Sequence, residues 1–198
     1  TLGRLWTLCQ GHVSYNVGER AAAIDTIVAL VVASRLGVEW CAWERLPWSY
    51  LDGAVLTSEG INWNRLSVCR VSMGGPLVNR VTGYFNTPDQ VAPNGMPFYY
   101  DSGAGGIRDA RTGRLYTGSN VFLVAVVNVT AAYDPLPSRL VVLAWGNGGA
   151  RTYASGVWLR DFFWQASNKY AAVVRWVDAN GNGIPDGNDN FEVLATWP

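Results

Sequence analysis

Two nearly continuous apolar runs constrain the fold of this chain more than any other feature of its sequence. They are VFLVAVVNV at residues 121–129 and RLVVLAW at residues 139–145. A strand with one face in water alternates apolar and polar residues, whereas a strand covered on both faces has an almost uninterrupted apolar sequence. The two runs therefore predict a sheet with both faces covered, as in an α/β layered architecture.

A strand, a glycine loop and a helix follow one another twice. LSVCRVSM leads through Gly74-Gly75-Pro76 into LVNRVTGYF, where Pro76 suits a first helical turn. RLVVLAW leads through a second loop, residues 146–149, into ARTYASGVWLRDFFWQA. Helix N-termini can hold anions, but neither loop completes a dinucleotide or phosphate-loop motif. We therefore interpret both loops as packing turns.

The remaining segments complete the predicted organisation. Residues 20–36 have apolar residues at helical spacing and predict a helix that ends before Gly37. The Trp-rich segment that follows, through Trp63, has no single period and is interpreted as irregular, and residues 101–118 are interpreted as a Gly-rich loop. Residues 1–198 are predicted to form one domain of the α/β class, with a mixed sheet and a C-terminal β-hairpin.

The segment DANGNGIPDGND, residues 178–189, matches a calcium-binding loop. Such a loop needs oxygen ligands at positions 1, 3, 5, 9 and 12, a glycine at position 6 and a backbone carbonyl at position 7. Gly183 occupies position 6, and position 12 is Asp rather than the longer Glu. The predicted calcium ligands are Asp178, Asn180, Asn182, Ile184 through its carbonyl, Asp186 and Asp189.

The flanks of this loop, AAVVRWV and FEVLATW, are rich in β-branched and aromatic residues, so we expect a strand on each side. A plain hairpin turn is the alternative, because Asn-Gly and Asp-Gly are common in hairpins without metal. We favour calcium. With three carboxylates, the affinity is expected to resemble that of weak extracellular modules, on the order of 10⁻⁴ M.

Composition restricts the classes of partner. The formal net charge is +0, which gives no electrostatic argument for nucleic acid or for an acidic membrane surface. The apolar segment in residues 20–36 is too short for a membrane span and contains Asp25. Charged residues make up 15% of the chain, below the roughly 25% of ordinary soluble domains, and ten Trp and nine Tyr add amphipathic surface. We therefore expect the protein to bury surface against copies of itself.

No catalytic constellation is evident in the sequence, so we expect no enzymatic activity. The single histidine, His12, lies in no motif, and with Cys9 it gives at most a fragment of a zinc site. The alternative is a carbohydrate-binding or carbohydrate-active module, in which Trp40, Trp43 and Trp48 would form a platform for sugars.

Three further features bear on an extracellular location. Asn128-Val129-Thr130 is an acceptor sequence for N-glycosylation at the end of an apolar run. Cys9, Cys41 and Cys69 allow one disulfide or none, and their spacing does not choose. Residues 1–10 are a candidate strand to be lent to the sheet of a neighbouring subunit.

RVSMGGPLVNRVTGYFN resembles the Gly-Gly-Pro-x-x-Asn segment of archaeal surface-layer (S-layer) proteins, where a strand ends in Gly-Gly-Pro and a helix follows. Three other segments are similar to that family in the same order. They are GERAAAIDTIVALVVASRLG, PFYYDSGAGGIRDARTGRLYTGSNVFLVAVVNV and RLVVLAWGNGGARTYASGVWLRDF. Together the four cover most of residues 18–164.

The resemblance implies an extracellular, glycosylated and calcium-assisted structural protein of the cell surface, without catalysis. S-layer proteins are usually much longer than 198 residues and carry further domains. The resemblance is therefore compatible with a reduced relative that forms a surface filament or sheath.

Overall fold

The computed structural model describes residues 2, 13–18, 25, 27, 32, 48–58, 60–61, 69–88, 96–129 and 139–198. In chain order the elements are β1 (Val13–Val17), β2 (Trp48–Leu51), α1 (Asp52–Val55), β3 (Leu56–Thr57), β4 (Gly60–Ile61), β5 (Cys69–Met73), α2 (Arg80–Phe85), β6 (Phe98–Asp101), β7 (Gly106–Asp109), β8 (Leu115–Tyr116), β9 (Val121–Val129), β10 (Arg139–Gly146), α3 (Gly149–Asp161), a 3-10 helix (Phe163–Ala166), β11 (Ala171–Val177) and β12 (Asn190–Trp197).

Seven strands form one mixed sheet in the order β12-β11-β9-β10-β5-β1-β2. Strands β10, β5, β1 and β2 are parallel to one another, whereas β9, β11 and β12 pair in antiparallel fashion. The predicted mixed sheet and C-terminal hairpin are confirmed. The described part of the chain is mostly sheet rather than a clear α/β layered fold.

Alternation along the central strands gives the sheet two apolar faces. In β9, Phe122 and Val124 join a core cluster with Trp158 of α3, whereas Leu123 joins a second cluster with Phe98 of β6. Successive side chains of a strand point to opposite faces, so an apolar run serves two cores at once. This arrangement accounts for the uninterrupted apolar sequence of β9 and β10.

Residues 101–118 are not a loop, as the glycine content predicted, but contribute to a small antiparallel sheet of β6, β7 and β8. Two turns of the same construction permit it. Asp101 Oδ1 accepts from the backbone N–H groups of residues 103 and 104, and Asp109 Oδ1 from those of residues 111 and 112. Each turn ends in a glycine of positive φ, Gly105 at 68° and Gly113 at 72°. The glycines therefore allow tight turns between short strands.

Both helices that follow the glycine loops are present, although their ends differ from the prediction. Helix α2 begins at Arg80 rather than near Pro76, because Asn79 caps it with its side chain and the residues before it form a turn. The long predicted helix ends at Asp161, and residues 163–166 continue as a 3-10 helix.

Several predictions fall wholly or largely outside the described residues. Of the predicted helix 20–36, only Asp25, Ile27 and Val32 are described, and all three are helical. Of the proposed lent strand, only Leu2 is described; it is helical and buried, and its N–H donates to Lys169 O at 2.8 Å. Cys9, His12, Trp40, Cys41, Trp43 and Trp63 lie outside the described set. No helix in the described ranges is long and apolar enough to cross a membrane.

Candidate functional site

The predicted calcium loop joins β11 to β12, and one buried carboxylate ties its two ends together. Asp189 Oδ2 accepts hydrogen bonds from the indole Nε1 of Trp176 at 2.8 Å and from Asp186 N at 3.0 Å. Asp189 Oδ1 accepts from Ala179 N at 3.0 Å. Asp189 is buried and its partners come from both sides of the loop. This carboxylate therefore closes the loop by hydrogen bonds of its own.

Asp178 organises the first half of the loop. Its Oδ1 accepts from Gly181 N and its Oδ2 from Gly183 N, each at 2.8 Å. Both glycines have φ of 72°, the left-handed conformation that glycine adopts without strain. The sharp turn that the sequence predicted at Gly183 is thus present, and Asp178 fixes it.

Asn180, Asn182 and Asp186 are brought together by their side chains. The Nδ2 groups of Asn180 and Asn182 donate to Asp186 Oδ2 at 3.1 and 3.0 Å. The backbone N–H of Asn188 holds the pKa of Asp186 below its usual value, and the two amide donors act in the same direction. The ionised carboxylate is therefore the form that this loop stabilises.

The oxygen atoms available in this loop are of mixed type. Within the described ranges, no three His, Cys, Asp or Glu side chains gather as a metal-binding group, so a cation would draw part of its ligands from amide and carbonyl oxygens. Asn180 Oδ1 and Asn182 Oδ1 each accept one backbone hydrogen bond and retain a second lone pair. Ile184, whose carbonyl is the predicted ligand at position 7, lies on the exposed side of the loop.

Asn128, the predicted glycosylation residue, is the penultimate residue of β9 and pairs with Leu140 of β10. On its other side, the pairing of β9 with β11 extends only from Val121 to Ala125. The backbone therefore has the strand-end position that the sequence indicated, and Thr130 lies outside the described residues.

The Gly-Gly-Pro-x-x-Asn segment has an architectural role. Asn79 Oδ1 accepts from Val81 N and Thr82 N at 3.0 and 3.2 Å, and its Nδ2 donates to Met73 O at 2.7 Å and to Ser72 Oγ at 3.1 Å. Asn79 is fully buried. One side chain thus caps α2 and joins it to the end of β5.

A cavity that the sequence did not indicate lies where both glycine loops meet. Its lining includes Gly75 and Val78 after β5, Gly146 at the end of β10 and Gly148 after it, and the carboxyl-bearing Asp25. Because β5 and β10 are parallel neighbours, their carboxyl ends open at the same edge of the sheet. In open α/β sheets, ligands bind in the crevice at this edge.

The signal that could have located the cavity was the repeated strand, glycine loop and helix. Each unit alone is a packing turn, and no local pattern indicates that the two strands are adjacent. The adjacency of β5 and β10, which are separated by more than 60 residues of chain, is what converts the turns into a pocket.

Comparison of the sequence with protein-family models and with curated proteins gives no match.

Proposed function

We propose that this chain is a non-catalytic structural subunit of an archaeal cell surface, located outside the cell, which self-associates and whose C-terminal hairpin is stabilised by calcium. The observation that carries the proposal is the convergence of Asn180 and Asn182 on Asp186, in a loop that Asp178 and Asp189 already shape. The S-layer-like segments give the proposal its cellular setting.

Calcium would supply positive charge to a loop whose carboxylates are otherwise stabilised only by N–H donors. Asp178, Asp186 and Asp189 place three carboxylates within twelve residues, and their mutual repulsion acts against a compact loop. Backbone N–H groups and two side-chain amides offset this repulsion in part. A divalent cation held by these carboxylates and by Asn180, Asn182 and the Ile184 carbonyl would offset it more fully.

The stabilised hairpin forms one edge of the large sheet. Strand β12, Asn190–Trp197, pairs with β11 and has no further strand beyond it among the described elements. The pairing skips Leu194, because Val173 faces Ala195 and Val174 faces Val193, so the edge is interrupted by a bulge. Residues 190–193, next to the calcium-type loop, form the regular part of the edge. Unpaired edges are where another chain adds a strand.

Three finer features belong to the same proposal. Helices would cover both faces of the sheet in a fully layered α/β domain spanning residues 1–198. Asn128 would carry a glycan, and the chain would assemble as a lattice or a filament. The alternative, a carbohydrate-binding or carbohydrate-active module, depends on Trp40, Trp43 and Trp48, none of whose side chains is described.

Negative-stain electron microscopy with and without calcium tests the proposal. We expect regular sheets or filaments in calcium and their loss in excess chelator, with recovery when calcium is restored. Asp186→Asn, which removes a predicted ligand and keeps the Trp176–Asp189 hydrogen bond, should prevent assembly in calcium. Gly103→Ala, in the distant β6–β7 turn, is the matched control and should assemble normally. Dispersed monomers in calcium that deplete on polysaccharide would instead support the alternative.

A further inference from the structure

The cavity at the carboxyl ends of β5 and β10 has a volume of about 270 Å³. This lies at the lower limit of ligand pockets, roughly 300–1,000 Å³. Its walls come from four parts of the chain: Asp25, the turn of residues 75–78, Tyr100 of β6, and residues 145–149 with Thr152. The space therefore suits one small ring rather than a chain of rings.

Asp25 gives the cavity an unusual polar group. The residue is 4% exposed, and among the described residues its carboxyl has no hydrogen-bond or ion-pair partner. Its Oδ2 lies beside Gly74, where a β-carbon would approach it to 2.9 Å. Burial disfavours the charged form of this carboxyl, because it takes the group out of water. A ligand that donates hydrogen bonds to Asp25 would remove this cost.

The N-terminus of α3 brings donors to the same cavity. Gly148 is the N-cap residue, with φ of 120°, and no side chain caps the helix. The first backbone bond at this end runs from Thr152 N to Gly148 O at 3.1 Å. The preceding N–H groups of the first turn therefore have no partner in the helix, and Gly148 and Gly149 line the cavity. These groups can donate to an acceptor held in the cavity.

An aromatic wall completes the cavity. Tyr100 and Trp145 pack edge to face, with ring centroids 6.0 Å apart and planes at 86°. The backbone of Tyr100 is fixed by Asn86, whose side chain accepts from Tyr100 N at 2.6 Å and donates to Tyr100 O at 3.0 Å. Leu77, 65% exposed, lies in the cavity lining and adds apolar surface. The wall is thus held in place before any ligand binds.

We propose that this cavity binds one polyhydroxylated ring, such as a single sugar unit. The hydroxyl groups of such a ring donate to Asp25 and accept from the α3 N-terminus, and its C–H face packs on Tyr100, which Trp145 supports from behind. A simple cation satisfies Asp25 but is repelled by the helix N-terminus, and an anion has the opposite conflict. A neutral ring with donors and acceptors satisfies both ends.

The test is titration of the purified chain with D-glucose, D-mannose and D-galactose and with their methyl glycosides, by calorimetry and ligand-observed NMR. We expect at least one sugar to bind with Kd of about 1 mM. Binding of a methyl glycoside at equal strength identifies the end of a glycan as the source, whereas binding of the free sugar alone identifies a monosaccharide.

Two variants connect the binding to the cavity. Asp25→Asn should weaken binding about tenfold, because a neutral acceptor replaces a charged one, while the unliganded protein becomes no less stable. Gly75→Ala should also weaken binding, because Gly75 lines the cavity and the added methyl group would take up part of its volume. The methyl group would lie 3.6 Å from Gly146 O and 3.8 Å from the Trp145 ring, which are ordinary contacts that the fold should tolerate. Gly103→Ala is the matched control and should bind as the wild type does.

Three outcomes would overturn the proposal. The first is the absence of binding by every sugar and methyl glycoside of the panel at 50-fold the expected Kd, roughly 50 mM. The second is binding of ethylamine or glycine without binding of any sugar, which would assign the cavity to a charged ligand. The third is sugar binding that Asp25→Asn and Gly75→Ala leave unchanged, which would place the sugar elsewhere.

Discussion

The indole nitrogen of Trp176 donates a 2.8 Å hydrogen bond to Oδ2 of Asp189. The bond joins the penultimate residue of β11 to the residue that precedes β12. Both residues are buried. A charged acceptor in a buried position strengthens such a bond, because water does not compete for either partner. The hairpin is therefore closed by a protein contact that does not depend on a metal.

This contact predicts different consequences for two conservative variants of the loop. Asp189→Asn replaces one of two acceptor oxygens with an NH2 group, so at least one of the donors on Trp176, Ala179 and Asp186 is left unsatisfied. The expected loss in the free energy of unfolding is about 2–3 kcal/mol in the presence of chelator, measured by urea denaturation.

Asp186→Asn is the control for that measurement. Its carboxylate accepts from exposed partners, so the loss in chelator should be small, below about 1 kcal/mol. Equal losses for the two variants would show that the Trp176–Asp189 contact has no special part in closing the hairpin.

Calcium is predicted to raise the stability of the wild-type chain. A ligand that binds only the folded form contributes RT ln(1 + [L]/Kd), or about 2.7 kcal/mol at a hundredfold excess over Kd. Thermal unfolding in calcium and in excess chelator measures the difference. Asp186→Asn should reduce this difference in melting temperature, because the variant removes a predicted ligand and leaves the Trp176–Asp189 contact in place. A melting temperature unaffected by chelator would leave the loop as a hairpin turn without metal.

Secondary structure could be predicted where it depends on residues that are close in sequence. The helices after both glycine loops, the apolar strands and the C-terminal hairpin all follow from periodicity and turn residues. The small sheet of β6–β8 does not follow in this way, because the glycine content of residues 101–118 indicates a loop. The repeated Asp-x-x-x-Gly, at Asp101–Gly105 and Asp109–Gly113, was the available signal.

The cavity was beyond sequence reasoning for a different reason. It depends on the pairing of β5 with β10 and on Asp25 of a distant helical segment, and no local pattern specifies such long-range neighbours. The calcium-type loop lies at the other extreme, since all its predicted ligands fall within twelve residues of chain.

Asn79 is predicted to be among the most sensitive residues outside the loop. Asn79→Ala removes the cap of α2 and leaves Met73 O and Ser72 Oγ without this donor in a buried site. Loss of a cap costs about 1 kcal/mol, and an unsatisfied buried group adds about 1–3 kcal/mol. We expect a decrease of about 2–4 kcal/mol by urea denaturation. A loss below about 1 kcal/mol would contradict the architectural role of Asn79.

Gly18 is predicted to tolerate no side chain. A β-carbon there would lie 1.9 Å from Val78 O and 2.8 Å from the α-carbon of Asn79, both of which belong to the backbone. Gly18→Ala must therefore displace the turn before α2 from the end of β1, and we expect severe destabilisation or insoluble expression. Gly103→Ala, whose β-carbon would meet only Asp101 Oδ1 at 3.4 Å, should fold normally. A Gly18→Ala protein with the wild-type melting temperature would contradict this close approach.

Asp25 predicts a specific dependence of stability on pH. Burial raises its pKa from 3.8 to about 6, so between these values the folded chain holds a proton that the unfolded chain has released. Stability from this group is therefore present below about pH 4 and is lost as the pH rises through about 6, by an amount on the order of 1–3 kcal/mol.

Asp25→Asn cannot titrate, so its stability relative to the wild type should increase over this window. The lowered pKa values of Asp101, where the Arg108 side chain is the main cause, and of Asp186 act in both proteins and cancel in the comparison. Urea denaturation of both proteins at pH 4, 5, 6 and 8 measures the effect, and a difference that stays constant with pH would show that Asp25 titrates normally.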